Sequence, residues 1–192
     1  MEERARRIVE SAVELAEKGG FEAVRLRDVA AHANVALGTV YRRFRSKEDL
    51  LIAALDQQIA DHQQHLLKRP PNGATRLDRV ASFFQGATRS LCRRPNLARA
   101  LIRAVATGDP ELTQKMAAFH NRVNDLVTMS LRGASAPGEG APTSSEEQAL
   151  ARSLQMVWFA SLVGWSGGVH DQSEIMEQTR AAAELMLRDS DE

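Results

Sequence analysis

The stretch RLRDVAAHANVALGTVYRRFRSK, residues 25–47, decides the fold. Leu26, Val29, Ala30 and Ala33 recur at helical spacing, so Arg27 to Ala33 reads as one short helix. Asn34 follows it, a residue that tolerates the left-handed backbone of a tight turn. A second short helix is predicted from about Ala36 to Phe44, with Val35, Val40 and Phe44 facing inward. Leu37, Gly38, Thr39, Tyr41, Arg42 and Arg43 then occupy its open side. Hydroxyl, phenol and guanidinium groups on an open helix face suit the major groove of double-stranded DNA, where they meet base edges and phosphates.

The local charge points the same way. Residues 25–47 carry six positive side chains, Arg25, Arg27, Arg42, Arg43, Arg45 and Lys47, against Asp28 alone. The whole chain balances 25 Lys+Arg against 25 Asp+Glu, so basic charge is concentrated here and not merely abundant. Phosphate contacts from such a cluster supply sequence-independent affinity that falls with salt. A charge run alone reads as a solvated face. Inside a helix-turn-helix it reads as a surface for the DNA backbone. Arg27, Arg43 and Lys47 are the expected phosphate contacts, and Thr39, Tyr41 and Arg42 the expected groove contacts.

Further motifs flank this core. Gly20-Phe21-Glu22-Ala23, Arg27-Asp28-Val29-Ala30, Val35 to Phe44, and Ser46-Lys47-Glu48-Asp49-Leu50-Leu51 stand at spacings that together resemble the DNA-binding half of the TetR family of repressors. The resemblance covers roughly the first third of the chain. It implies an all-α fold, with an N-terminal three-helix DNA-binding domain on a C-terminal helical ligand-binding and dimerisation domain. On that basis residues 1–50 form the DNA-binding domain and 51–192 the regulatory one, joined by a helix beginning at Ser46. Two positions depart from the family pattern. Arg25 and Ala36 stand where hydroxyl residues commonly cap the second and third helices, and losing such a cap costs about 1 kcal/mol, so packing must hold these ends. Arg25 is an added phosphate contact candidate, and Arg43 takes a place often held by His.

A narrower resemblance rests on Ala36-Leu37-Gly38-Thr39, Arg94-Pro95, Val157-Trp158 and Leu162-Val163-Gly164-Trp165. These are similar to a branch of the family, the actinobacterial repressors of cholesterol catabolism, which respond to coenzyme A thioesters of sterol side-chain breakdown. That resemblance implies a bulky apolar effector such as a sterol-derived acyl-CoA.

Outside the head, helix 1 is expected from Arg4 to Lys18, stopped by Gly19-Gly20. Ser46 reads as the N-cap of the fourth helix, with Asp49 in place of a capping-box Glu. Arg69-Pro70-Pro71-Asn72-Gly73 is a turn-rich break. Helices follow at about 75–92, 95–107, 110–131, 145–168 and 172–187, with Gly133 to Ser144 a mobile loop. Pro95 and Pro110 fit first helical turns, and Asp109 caps the second of these.

On the 145–168 helix, Leu154, Trp158, Ser161, Leu162 and Trp165 share one broad face, and Ile175, Thr179, Ala182, Ala183 and Met186 form a stripe on the last helix. Such faces suit either a subunit interface or one subunit's core. The pairing of two half-sites by helix-turn-helix dimers, together with the family resemblance, favours a homodimer through Trp158, Leu162, Trp165, Ile175, Thr179, Ala182 and Met186. The same resemblance places Phe83, Phe84, Leu101, Val105, Met116, Phe119, Val123, Met156 and Trp158 around the effector, though taken singly each reads as plain core before ligand contact. Arg99, Arg103 and Arg122 are candidates for an anionic group on the ligand.

Several function classes find no support. Cys92 is the only cysteine, so no internal disulfide forms, and His62, His65, His120 and His170 show no metal-ligand spacing. No cofactor or metal is expected. No apolar run approaches the ~18 residues of a membrane span and the amino terminus is charged, so a cytoplasmic protein without membrane contact is expected. No nucleophile elbow or Gly-rich phosphate loop supports an all-α enzyme. That class, and a DNA-binding activator without a ligand, are the alternatives to a ligand-responsive repressor.

Overall fold

Local helix signals account for most of the architecture. The computed structural model describes residues 3–68, 71, 73–133 and 144–188. Among them are nine α-helices and no strand: α1 (Glu3–Ala23), α2 (Leu26–His32), α3 (Leu37–Tyr41), α4 (Lys47–Lys68), α5 (Arg76–Cys92), α6 (Pro95–Ala106), α7 (Thr113–Arg132), α8 (Ser145–Ser166) and α9 (Gln172–Leu187). A 3-10 turn, Pro110–Leu112, precedes α7, with the Asp109 carboxylate accepting from Glu111 N. Arg69, Pro70, Asn72 and residues 134–143, which include most of the expected break and loop, lie outside the described residues. None of the described helices is long and apolar enough to cross a membrane.

The chain divides into two compact units, Met1–Ala60 with Arg93–Ala117, and Asp61–Cys92 with Ala118–Glu192. In the first, α1 buries Ala5, Ile8, Val9, Ala12 and Ala16 along one face. Its regular helix stops after Lys18, because Gly19 and Gly20 leave helical geometry and Gly20 takes φ 68°, a region open to glycine at no steric cost. α6 packs on α1. Asn96 Nδ2 donates to Glu17 O at 3.0 Å and Arg94 pairs with the Glu17 carboxylate at 2.6 Å. The first unit therefore extends well past residue 50, because α6 joins it through these contacts.

In the second unit α9 packs against both α5 and α8. Arg79 of α5 donates to Leu131 O (2.7 Å) and Ser130 O (3.3 Å), supplying partners for carbonyls that the end of α7 leaves unpaired. Ser144 and Glu147 form a capping box at the start of α8, and Glu147 also accepts from Arg132 at 2.8 Å. α8 ends in a Schellman motif, with Gly168 at φ 76° and Val169 N donating to Gly164 O at 2.9 Å.

Candidate nucleic-acid interface

The turn between α2 and α3 is closed by backbone alone. Asn34 adopts φ 51°, Val35 N donates to Ala30 O (3.0 Å) and Asn34 N to Ala31 O (3.2 Å), the two bonds of a Schellman motif. Arg25 and Ala36 stand at the N-caps of α2 and α3 with no side-chain capping bond, as their departure from the capping pattern implies. Packing holds these ends instead: Val29, Ala30, Ala33, Val40 and Phe44 are all buried. α3 is shorter than the expected Ala36–Phe44. Arg43 N reaches back three residues to Val40 O (2.9 Å), which tightens the chain into a turn after Tyr41.

With Val40 and Phe44 fixed inside, the expected reading face points outward. Tyr41 is 57% exposed, and Gly38, Arg42 and Arg43 are exposed beside it. Leu37 and Thr39 are half-buried. Arg42 Nη2 donates to Thr39 Oγ1 at 3.1 Å, so the guanidinium is held along the helix next to Tyr41. Arg25 and Arg27 are exposed at the entry to α2.

The start of α4 is anchored more firmly than its sequence predicts. Ser46 Oγ accepts from Asp49 N at 3.1 Å, the expected cap. Asp49 does not return a bond to Ser46. Its Oδ2 accepts from Arg45 N at 3.0 Å and its Oδ1 pairs with Lys115, with the residue 2% exposed.

Lys47, expected on a phosphate, has intramolecular partners. Its Nζ sits 3.9 Å from the Phe21 ring centroid and 3.3 Å from Glu22 Oε2. Arg103 covers the same ring at 4.2 Å and pairs with Glu22 Oε1 at 2.9 Å. Hydrogen bonding from Lys47, with the charges of Lys47 and Arg103, holds the Glu22 carboxyl below its ordinary range. A phosphate would have to draw Lys47 away from Glu22. Glu22→Gln is expected to tighten DNA binding severalfold and to steepen the salt dependence by about one counterion, which a salt titration of duplex affinity will show. An unchanged slope would remove Lys47 from the phosphate set. Arg103, a candidate for a ligand anion, is committed to this cluster.

The remaining expected residues separate. Phe84, Phe119 and Val123 are buried in the second unit, and Phe84 meets Trp158 at 5.5 Å between ring centroids. Trp158 is half-buried, with Nε1 donating to Thr88 Oγ1 at 2.9 Å. Leu101 and Val105 are instead buried on α6 in the first unit, where half-buried Met116 also belongs. Met156 is 48% exposed, because the buried face of α8 runs through its neighbour Gln155. Of the expected dimer residues, Leu162, Trp165, Ile175 and Thr179 are buried within their own chain. Ala182 is half-buried and Met186 exposed. The exposed large apolar side chains on α8 and α9 are Met156, Val163, Leu185 and Met186. His62 and His120 are partly buried, and burial lowers the basicity of both rings. Among the described residues no three His, Cys, Asp or Glu side chains gather as a metal site.

A tight two-helix turn with a solvent-facing second helix, joined in one chain to a separate helical body, defines a helix-turn-helix transcriptional regulator. Comparison with known proteins agrees at both ends. Residues 8–54 match the model for bacterial regulatory proteins of the tetR family, and residues 73–186 match the tetracyclin repressor-like C-terminal domain. The chain belongs to the TetR family. It is 35% identical to the HTH-type transcriptional repressor KstR of Rhodococcus jostii over 187 residues, 97% of this chain and 84% of that one. A solved TetR transcriptional regulator from Rhodococcus sp. RHA1 superposes with a TM-score of 0.83 at 28% identity, covering 97% of this chain and 98% of that one. Thermus thermophilus FadR, solved in complex with lauroyl-CoA, shares the fold at a TM-score of 0.69 and 22% identity, over 93% and 92% of the two chains.

Proposed function

We propose that this chain is a transcriptional repressor that binds a palindromic operator as a homodimer in the cytoplasm and is released by a bulky apolar effector, a sterol-derived acyl-CoA. The observation that carries the DNA-binding half is the outward face of α3, where Tyr41 and the Thr39–Arg42 pair project from a helix pinned by Val40 and Phe44. Identity to KstR along nearly the whole chain supports repression. The Thermus relative supports a thioester effector in so far as this fold accommodates one there.

In the dimer two α3 helices read half-sites about 34–36 Å apart, one turn of DNA. An effector bound among the body helices shifts α4 and changes that separation. For release, the effector must bind the DNA-incompetent state better, with a coupling of ~1–3 kcal/mol. The test is duplex from the chain's own promoter, titrated with and without a sterol-derived acyl-CoA. Saturable binding reversed by the thioester is the expected result; binding indifferent to it overturns the effector, and no specific binding overturns the regulator of that promoter.

Dimerisation is read onto α8 and α9, which expose the large apolar side chains Met156, Val163, Leu185 and Met186. Val163→Glu is expected to convert a dimer to a monomer by light scattering and to weaken operator binding in parallel. A variant that stays dimeric moves the interface elsewhere.

A further inference from the structure

We propose that Gln155, oriented by His120, is a polar anchor in the second unit that recognises one uncharged oxygen function, a hydroxyl or a carbonyl, on an otherwise apolar ligand. This deepens the effector reading and rests on it. Gln155 lies on the buried face of α8, with Ala151, Leu154, Ser161 and Leu162, and is 2% exposed. Its Nε2 stands 2.8 Å from His120 Nδ1 on α7. Its Oε1 is buried and has no hydrogen-bond partner among the described residues.

Asn124 Oδ1 on α7 and His62 Nε2 on α4 are likewise buried without a partner among the described residues. Gln155 is the one of these whose amide is also held by a second side chain, and other polar groups of the unit are satisfied. Trp158 Nε1 bonds Thr88 Oγ1, Ser161 Oγ bonds Val157 O at 3.0 Å, and Thr179 Oγ1 bonds Ile175 O at 2.7 Å. A buried amide oxygen without a partner is uncommon and destabilising, and a leucine here would fill similar space without that cost. The surroundings are apolar as well. The His120 ring meets Phe119 edge-on at 5.1 Å and Phe159 at 6.4 Å and 90°.

The chemistry of the pair decides what it accepts. Burial lowers the basicity of His120, so the ring is neutral near pH 7, with one nitrogen a donor and the other an acceptor. When the Gln155 amide N–H donates to Nδ1, Oε1 is left to accept from a ligand hydroxyl. When the amide is rotated and Nδ1–H donates to Oε1, the amide N–H is left to donate to a ligand carbonyl. The assignment of amide oxygen and nitrogen follows the hydrogen-bond network, and both arrangements are open to a neutral ring. A carboxylate gains no counter-charge from either residue and loses its hydration, so the anchor discriminates against ionised groups.

Three thioesters test this on the full chain: lithocholoyl-CoA with one ring hydroxyl, its ring-keto counterpart, and cholanoyl-CoA with no ring oxygen. The two oxygenated thioesters are expected to bind the native chain about tenfold tighter than cholanoyl-CoA, the scale of one buried hydrogen bond. Gln155→Leu is expected to erase that preference while cholanoyl-CoA affinity stays unchanged, and His120→Phe to do the same. Equal affinity of the three for the native chain, or a preference that survives either substitution, overturns the anchor and leaves the effector reading intact. Failure of all three to bind overturns both. Gln155→Met, matched in length, carries the test if the leucine variant does not fold.

Discussion

Alanine at both Tyr41 and Arg42 is expected to remove operator discrimination while leaving the fold in place. Each side chain is exposed, and Arg42 is tied to the helix by its bond to Thr39 Oγ1, so thermal stability should hardly change. Binding is another matter. A good side-chain contact to a base edge discriminates by about 1–3 kcal/mol, so two are worth ~2–6 kcal/mol if both read bases. That corresponds to between about 30-fold and 10⁴-fold in affinity. The readout is anisotropy against the operator and a scrambled duplex of equal length. Loss confined to the operator assigns the pair to base reading. Equal loss on both duplexes would assign them to phosphates and leave the reading face to Leu37, Gly38 and Thr39.

Gly38 gives an internal control for that experiment. A methyl group added there meets nothing within 4 Å beyond its chain neighbours and the backbone of its own helix. Gly38→Ala should therefore fold normally, with a helix propensity gain of up to about 1 kcal/mol. Weaker DNA binding in that variant would place a DNA surface against the backbone of α3, since nothing in the protein itself opposes the methyl.

The difference between what the chain announced and what it concealed follows the range of the interactions. Asn34, Gly19-Gly20, Ser46 and Pro95 act on backbone within a few residues, and each does what its chemistry requires. The inward set of Val40 and Phe44 follows from periodicity alone. Lys47 shows where that reasoning ends. Its open charge at a helix start suggests a phosphate, yet Glu22 is 25 residues upstream and Arg103 on α6, and no local pattern brings them together. The same applies to Leu162 and Ile175. A stripe of apolar residues has the same period whether it meets its own chain or another copy, and the burial of these two within the chain comes from the packing of α9 on α5 and α8, which no local pattern encodes. Gln155 did carry a signal, a polar residue at a buried position of an apolar helix face, but only burial reveals that the position is interior.

Phe84→Ala is expected to produce the largest loss of stability. Phe84 is 2% exposed, with Phe83 edge-on at 5.1 Å and Trp158 tilted against it at 5.5 Å. Removing a buried phenyl ring costs ~3–5 kcal/mol when the neighbours do not collapse into the space. Collapse is hindered here, because the Trp158 indole is tied to Thr88 on the same helix as Phe84. For a chain of this size each kcal/mol shifts the melting temperature by about 2–4 °C, so a drop of ~6–20 °C should be seen by calorimetry. The result also separates two readings of the position. If Phe84 is plain core, the loss is full and no thioester restores it. If Phe84 instead walls the effector site, a ligand that fills the vacated volume should recover part of the lost stability, because anything that binds the native state alone stabilises it by mass action. A small loss with no ligand effect would contradict both, and would mean that α5 and α8 close around the missing ring.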